Sequence, residues 1–272
     1  MATTSKQEYI QVDGINTFFV KAGDGHPLLL IHGASPGASS LVNWKLNIEP
    51  LAAAGFAVYA YDQPGFGYTA NPSDHSIEYR VTHAKALINA LGLDQFHVVG
   101  NSVGGYIAAR LALEDKRVKS FVTTTSGSLS PQGSADSQAL AKKHSEELRE
   151  YEPTLENMRK LTLGTIFNQE LVTEELVIER YEMSTGKNYE AQLQRRNAAR
   201  QKPVYEELKQ LRVKALLLWG CNDRGVSVER GLELFRSIPG AEFHLFDRCA
   251  HWVQWDKAAR FNDLVSNFLR TH

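Results

Sequence analysis

Residues 98–105 read Val-Val-Gly-Asn-Ser-Val-Gly-Gly, and this stretch decides the fold. The apolar run at residues 96–99 predicts a buried strand, and residues 106–113 predict a helix. A serine between two glycines, at a turn from strand to helix, is typical of a nucleophile elbow because small neighbours relieve crowding at a strained turn. The N-terminus of the helix also favours negative charge developing near Ser102. This setting favours a nucleophile over an incidental serine in a glycine-rich turn.

Short apolar runs alternate with helical patterns along the rest of the chain and predict a parallel sheet with helices on its faces. Four runs are apolar without a helical period, and buried strands are therefore expected at residues 27–31, 56–61, 96–99 and 118–123. Further strands are expected at residues 213–219 and 242–246. Asp13-Gly14 interrupts an alternating pattern and predicts an opening antiparallel hairpin. Apolar stripes predict one helix over residues 77–91, stopped by Gly92, and a last helix over residues 261–269.

The middle of the chain differs from both ends, because strand patterns disappear and charged residues become dense. Thr154 and Thr173 are typical helix N-caps, and acidic residues follow them. We interpret residues 131–205 as a helical insertion, with residues 1–130 and 206–272 forming an α/β core. Ligands bind at the carboxyl ends of the strands of an open α/β sheet, and an insertion between strands can cover that edge. The insertion is therefore a candidate lid.

A serine hydroxyl is a poor nucleophile at neutral pH and needs a base, which in turn needs an orienting acid. His251 follows a predicted strand and precedes the last helix, a loop position suited to a base that must reach Ser102. Asp223 lies just beyond the strand that ends at Trp219. These residues follow one another in the order Ser, Asp, His that is expected with this kind of elbow.

Two other aspartates compete for the role of the orienting acid. Asp247 lies too close to His251 along the same loop, and Asp62 precedes Ser102 and breaks the chain order. Asp62 is instead expected to hold together the turn at residues 62–67.

Acyl transfer also requires hydrogen-bond donors for an oxyanion. The expected donors are the backbone N–H groups of Val103, directly after the nucleophile, and of Ala34, in the loop after the third strand. His32 begins that loop and is expected to brace it rather than to act in catalysis.

These motifs resemble the meta-cleavage product hydrolases, α/β-hydrolases that cleave carbon–carbon bonds in the bacterial degradation of aromatic compounds. The resemblance covers residues 32–268 and is most specific at residues 100–105, 219–224 and 249–255, with residues 171–180 similar to the family's lid. It implies a mostly parallel eight-stranded sheet flanked by helices, with a helical lid inserted between strands. It also implies hydrolysis of a 2-hydroxy-6-oxo-hexa-2,4-dienoate to 2-hydroxypenta-2,4-dienoate and a carboxylic acid.

The same resemblance implies which residues surround the dienoate and its carboxylate: Asn43, Asn101, Arg180 and Trp252. Arg180 suits the carboxylate because a guanidinium can bind it through two parallel hydrogen bonds. Ketonisation of the dienol supplies an electron sink for the leaving carbon, with His251 moving the proton and Ser102 attacking the C6 carbonyl. Whether an acyl-enzyme forms or the ketone is hydrated directly stays open.

The sequence departs from the family pattern in the predicted pocket. Ala34, Ser35 and Ala250 stand where glycines are usual, and Thr165 stands where several members carry a large aromatic side chain. The added side chains narrow the pocket, whereas Thr165 enlarges or repolarises its C6 end. The C6 substituent of the substrate, whether phenyl, substituted phenyl, alkyl or hydrogen, therefore stays open.

Composition limits the classes of partner. Lys plus Arg total 30 and Asp plus Glu total 31, so charge favours neither nucleic acid nor a membrane surface. The first seven residues are polar, and no run approaches the ~20 apolar residues of a membrane-spanning helix.

Cys221 and Cys249 belong to no metal-binding motif, and no nucleotide-binding loop occurs, so we expect neither a metal nor a cofactor. We expect a cytoplasmic protein, and the resemblance suggests a homo-oligomer, a dimer or larger.

Two further functions stay open. A carboxylesterase would use the same triad, but an ester without a carboxylate would not need Arg180 or Asn43. A ligand receptor with a hydrolase fold would turn over little, and the complete triad argues against it. Dehalogenases and epoxide hydrolases are disfavoured because they carry an aspartate at the position of Ser102.

Overall fold

A single sheet organises the protein, whose computed structural model describes residues 5–131, 133–198 and 201–272. Its eight strands are β1 (Lys6–Val12), β2 (Ile15–Ala22), β3 (His26–Ile31), β4 (Phe56–Tyr61), β5 (Phe96–Asn101), β6 (Val118–Thr124), β7 (Lys214–Gly220) and β8 (Glu242–Phe246). The strand order is β1-β2-β4-β3-β5-β6-β7-β8. Strand β2 runs antiparallel to both of its neighbours, and all other pairs are parallel. The predicted α/β fold with a mostly parallel eight-stranded sheet is confirmed.

Helices connect and cover the strands. They are α1 (Ser40–Trp44), α2 (Ile48–Ala53), α3 (Ile77–Ala90), α4 (Val103–Glu114), α5 (Ala135–Arg149), α6 (Leu155–Thr165), α7 (Glu174–Glu182), α8 (Gly186–Asn197), α9 (Tyr205–Leu208), α10 (Val228–Ser237), α11 (Val253–Asp256) and α12 (Ala258–Thr271), with a short 3-10 helix at Gln169–Leu171. Within the described ranges, none of these helices is long and apolar enough to cross a membrane.

The sheet divides the apolar core into two layers because successive side chains of a strand point to opposite faces. Leu29 of β3 packs in one layer with residues of α3 and α4. Its neighbour Leu28 packs in the other layer with residues of α2 and α12. Near-continuous apolar strands are therefore buried on both faces, as expected for a parallel sheet between helices.

The opening hairpin shows how local sequence sets this architecture. Asp13 and Gly14 have φ angles of 47° and 83°, so both occupy the left-handed region. This geometry is that of a two-residue turn whose twist matches the strands on either side. The predicted hairpin is confirmed, with Val12 of β1 paired to Ile15 of β2.

Helices α5 to α8 lie between β6 and β7 in the sequence, where the helical insertion is predicted. Thr154 and Thr173 cap two of them, and their side chains accept hydrogen bonds from the N–H groups of Asn157 and Leu176. Lys187 ties α8 to the core by donating to the carbonyls of the 67–69 turn. Of the residues in the predictions above, 1–4 of the polar N-terminus and 132, 199 and 200 of the insertion lie outside the described part.

Candidate active site

The turn between β5 and α4 places Ser102 in a conformation that side chains rarely adopt. Its φ and ψ angles are 54° and −121°. Packing requires the glycines beside it, because a Cβ on Gly100 would collide with the carbonyl of Gly104, and a Cβ on Gly104 with the carbonyl of Ile31. Backbone strain of this kind is held in place by the surrounding structure and concentrates at functional sites.

The loops after β7 and β8 bring Asp223 and His251 together. The Nδ1 atom of His251 lies 2.6 Å from Oδ2 of Asp223. The other carboxylate oxygen accepts hydrogen bonds from the N–H groups of Gly225 and Val226. Burial alone would raise the pKa of Asp223, but the charge of His251 and these hydrogen bonds lower it below its ordinary value. Asp223 is therefore an anion that can orient the imidazole and stabilise its protonated form.

Ser102 and His251 line one cavity of about 100 Å³ above the elbow, called here the inner cavity. Ala34 and Val103 line it too, and neither of their N–H groups donates to an acceptor in the described part of the chain. Two unpaired donors beside a nucleophile can receive an oxyanion. The structure thus brings together at one site the residues predicted as triad and oxyanion donors.

The loop that carries Ala34 is braced from below. The backbone N–H of Gln63 donates to Nε2 of His32 at 3.0 Å, and the Gln63 side chain donates to the carbonyl of His32 at 2.6 Å. Burial lowers the pKa of His32 to about 3, so the ring is neutral. Asp62 accepts from the N–H groups of Ser40 and Tyr68 at 2.6 and 2.8 Å. These contacts agree with the structural roles expected for His32 and Asp62.

Two of the four predicted substrate-binding residues, Asn101 and Trp252, line the inner cavity. Asn43 lies behind Asn101 and donates to its Oδ1 at 3.2 Å, while Asn101 donates to Oγ1 of Thr124 at 2.8 Å. The Oδ1 atom of Asn43 is buried and has no partner within the described ranges.

Arg180 lies behind Trp252 and is fully buried, with its guanidinium 4.6 Å from the centroid of the indole ring. It donates to Oγ1 of Thr162 at 3.1 Å and to the carbonyl of Pro36 at 3.2 Å, and its Nε has no partner among residues 5–131, 133–198 and 201–272. No carboxylate in those ranges pairs with it. Burial lowers the pKa of Arg180 to about 10, so the group stays charged at neutral pH.

Three further lid residues line the inner cavity besides Thr165, and the sequence does not predict them. His144 and Leu148 reach it from α5, and Leu161 reaches it from α6. No motif marks them, because α5 is polar around its circumference and buries only Ser137. The ring centroids of His144 and His251 are 6.3 Å apart.

A larger cavity of about 1030 Å³, called here the outer cavity, lies under the lid and shares His144 and Leu161 with the inner one. Its walls are mixed: apolar side chains such as Phe167 accompany charged ones such as Lys143 and Glu147. Across the described residues, no cluster of three His, Cys, Asp or Glu side chains is arranged to hold a metal ion.

Comparisons with known proteins agree on the fold and the chemistry. The family described as alpha/beta hydrolase fold matches residues 26–258. The chain is 34% identical to a 2-hydroxy-6-oxo-6-phenylhexa-2,4-dienoate hydrolase of Burkholderia cepacia, covering 98% of this chain and 97% of that one. It is also 34% identical to a 2-hydroxy-6-oxononadienedioate/2-hydroxy-6-oxononatrienedioate hydrolase of Dechloromonas aromatica, with coverage of 90% and 86%. A solved meta-cleavage product hydrolase from Pseudomonas fluorescens IP01 superposes with a TM-score of 0.85 at 32% identity over 97% of each chain.

Proposed function

The chain belongs to the α/β-hydrolase fold family and, within it, to the meta-cleavage product hydrolases, and we propose that it hydrolyses a carbon–carbon bond of a 2-hydroxy-6-oxo-hexa-2,4-dienoate. One observation carries the proposal: Arg180 is a buried cation that pairs with no carboxylate in the described ranges. A buried charge without a counter-ion is costly, and the stacked Trp252 compensates only in part. The carboxylate of a dienoate supplies the missing charge.

In this proposal the substrate carboxylate points toward Trp252 and Arg180. Arg180 releases the carbonyl of Pro36 and donates to the carboxylate instead. In the same proposal the hydrogen-bonded pair Asn43 and Asn101 holds the 2-hydroxyl end of the substrate. This placement leaves C6 beside Ser102. An ester without a carboxylate would gain nothing from Arg180, which separates this function from that of a carboxylesterase.

The reaction adds water across the C5–C6 bond, so that C6 receives oxygen and C5 receives a proton. His251 first transfers the 2-hydroxyl proton of the dienol to C5. The resulting 2-ketone accepts, through the C3–C4 double bond, the electron pair left on C5 when the C5–C6 bond breaks, and the oxygen on C2 then regains a proton. Ser102 then either attacks the C6 carbonyl, forming an acyl-enzyme that water hydrolyses, or leaves the attack to a water molecule that hydrates the ketone directly. His251 is the base in both routes, and Asp223 holds its ring. The N–H groups of Ala34 and Val103 stabilise the oxyanion. The products are 2-hydroxypenta-2,4-dienoate and a carboxylic acid, by an acyl-enzyme or by direct hydration of the ketone.

We also propose the substrate class, the cellular compartment and the oligomeric state of the enzyme. A small-molecule substrate agrees with the balanced charge of the chain. The thiols of Cys221 and Cys249 are free, which is usual in a reducing compartment and supports the cytoplasm. We also propose a homo-oligomer, on the family resemblance.

The test is to mix the enzyme with a 6-phenyl dienoate and follow its visible absorbance. We expect the wild type to bleach the substrate. Ser102→Ala should slow the bleaching by at least about 10³-fold because the nucleophile is lost, as in other serine triads. Ser73→Ala, an exposed serine outside the site, is the matched control and should behave like the wild type.

Simple aryl esters complete the test. A wild type that hydrolyses them but leaves 6-phenyl and 6-alkyl dienoates untouched would be a carboxylesterase. A wild type that binds a dienoate without turning it over would be a receptor.

A further inference from the structure

The inner cavity is too small for a complete substrate. Its volume is about 100 Å³, whereas ligand pockets generally measure about 300–1,000 Å³. In the proposed orientation the dienoate half fills this small space, which Ser102 and Trp252 line. The C6 substituent must therefore extend past the residues that the inner cavity shares with the outer one, His144 and Leu161.

His144 stands at this passage and is held there by packing. A Cβ on Gly225 would lie 2.5 Å from its ring carbon, so the imidazole packs directly against the loop that carries Asp223. Its ring faces His251 at a centroid distance of 6.3 Å. Neither ring nitrogen has a hydrogen-bond partner in the part of the chain that the structure describes. A polar group on the substrate is thus the partner available to it.

We propose that His144 determines the specificity of this pocket by hydrogen bonding to the C6 substituent, and that it selects an extended chain ending in a carboxylate over a phenyl ring. The inference rests on the proposed function and names the substrate class of that site. His144 touches the substrate remote from the bond that breaks, so its role is in recognition rather than in the chemistry.

The electrostatics of the passage agree with this role. Burial, followed by the charge of His251, lowers the pKa of His144, so the ring is neutral at neutral pH and offers one donor and one acceptor. Beyond it, Lys143, Lys160 and Arg224 line the outer cavity together with Glu147 and Glu150. A carboxylate that reaches this mixed, open region stays hydrated and lies near cationic side chains. A phenyl ring placed there meets charged side chains and gains less from burial.

The experiment compares kcat/KM for two dienoates, one with a 6-phenyl and one with a 6-(2-carboxyethyl) substituent, in the wild type and in two variants. His144→Phe and His144→Leu both remove the hydrogen bond, and using two variants guards against a fold defect in one of them. We expect the wild type to prefer the carboxyethyl substrate. Each variant should lower that preference by about tenfold, because it loses one hydrogen bond to a charged group. His144→Gln should keep the preference, because its amide can still donate.

Lys142→Gln is the matched control, since this neighbouring side chain of α5 is 78% exposed, and it should leave the preference unchanged. The inference is overturned if the wild type prefers the phenyl substrate, or if His144→Phe and His144→Leu lower kcat/KM for both substrates equally. Either result leaves the proposed function standing, because both dienoates are still cleaved. Failure of the wild type to cleave either one would instead contradict the proposed function itself.

Discussion

The core side and the lid side of the inner cavity differ in how their polar groups are paired. On the core side, both oxygens of Asp223 accept hydrogen bonds, and His251 is held at 2.6 Å. On the lid side, Arg180 is buried without a carboxylate partner, and the ring of His144 makes no hydrogen bond with the described residues. The Asp223–His251 pair is thus organised before substrate binds, whereas the recognition groups are completed by the substrate.

The largest effect is expected on the core side. Asp223→Asn should lower kcat by about 10⁴-fold, because the amide no longer holds the required tautomer of His251. Asp247→Asn is the matched control: this carboxylate is exposed on the same loop as His251 and should tolerate the change. Steady-state rates with a dienoate measure both. A large loss of activity in Asp247→Asn, with activity kept in Asp223→Asn, would give the orienting role to Asp247.

More of the structure on the core side than on the lid side could be predicted from the sequence. The elbow at Ser102 follows from local chemistry, since two glycines and a strand-to-helix turn specify one another. The strand predicted at residues 56–61 matches β4, because its continuous apolar run is buried on both faces of the sheet. The strands predicted at residues 213–219 and 242–246 correspond to β7 and β8, and they place Asp223 and His251 just beyond strand ends.

The lid side was less predictable, because its contacts are long-range. Helix α5 has no apolar stripe, so nothing in its sequence indicates that His144 faces the nucleophile. Short helices such as α1 were missed for a similar reason: α1 has only 5 residues, and its first N–H is held by the distant carboxylate of Asp62. Strand order likewise depends on packing between segments far apart in the chain.

Acidification should destabilise the core. Burial lowers the pKa of His32 to about 3 and those of His83 and His97 to about 4. The unfolded chain binds protons below about pH 6.5, and the folded chain does not. Stability is therefore complete above that pH and is lost as the pH falls toward 4, by about 1.4 kcal/mol per pH unit for each histidine.

Urea unfolding at pH 7.5 and pH 5 measures this loss. His97→Asn removes one of the three buried rings and should make the free energy of unfolding less dependent on pH. His244→Asn, on the partly exposed edge strand β8, is the control. Equal pH dependence in His97→Asn and the wild type would refute the assignment of a neutral buried ring at that position.

The smallest effect is expected where the lid meets the core at the surface. Lys45, at the end of α1, pairs with Glu175 and Glu179 of α7 at 2.9 and 2.8 Å. Because these side chains are largely exposed, Lys45→Met should cost less than about 1 kcal/mol of unfolding free energy, and less still at high salt. Lys209→Met, which breaks a local pair with Glu206, is the control. A loss above about 2 kcal/mol would mean that this contact anchors the lid.

The claim that the core carries the reaction and the lid recognises the substrate carboxylate is tested most directly by Arg180→Gln. The measurement is kcat/KM for a dienoate and for an aryl ester. Arg159→Gln is the matched control, since this lid arginine pairs with Glu174 at the surface. We expect Arg180→Gln to lower kcat/KM for the dienoate by about 100-fold, the loss of a charged hydrogen-bonding partner, and to leave any ester hydrolysis unchanged. An equal loss on both substrates, in a variant that melts like the wild type, would contradict recognition of the substrate carboxylate by Arg180.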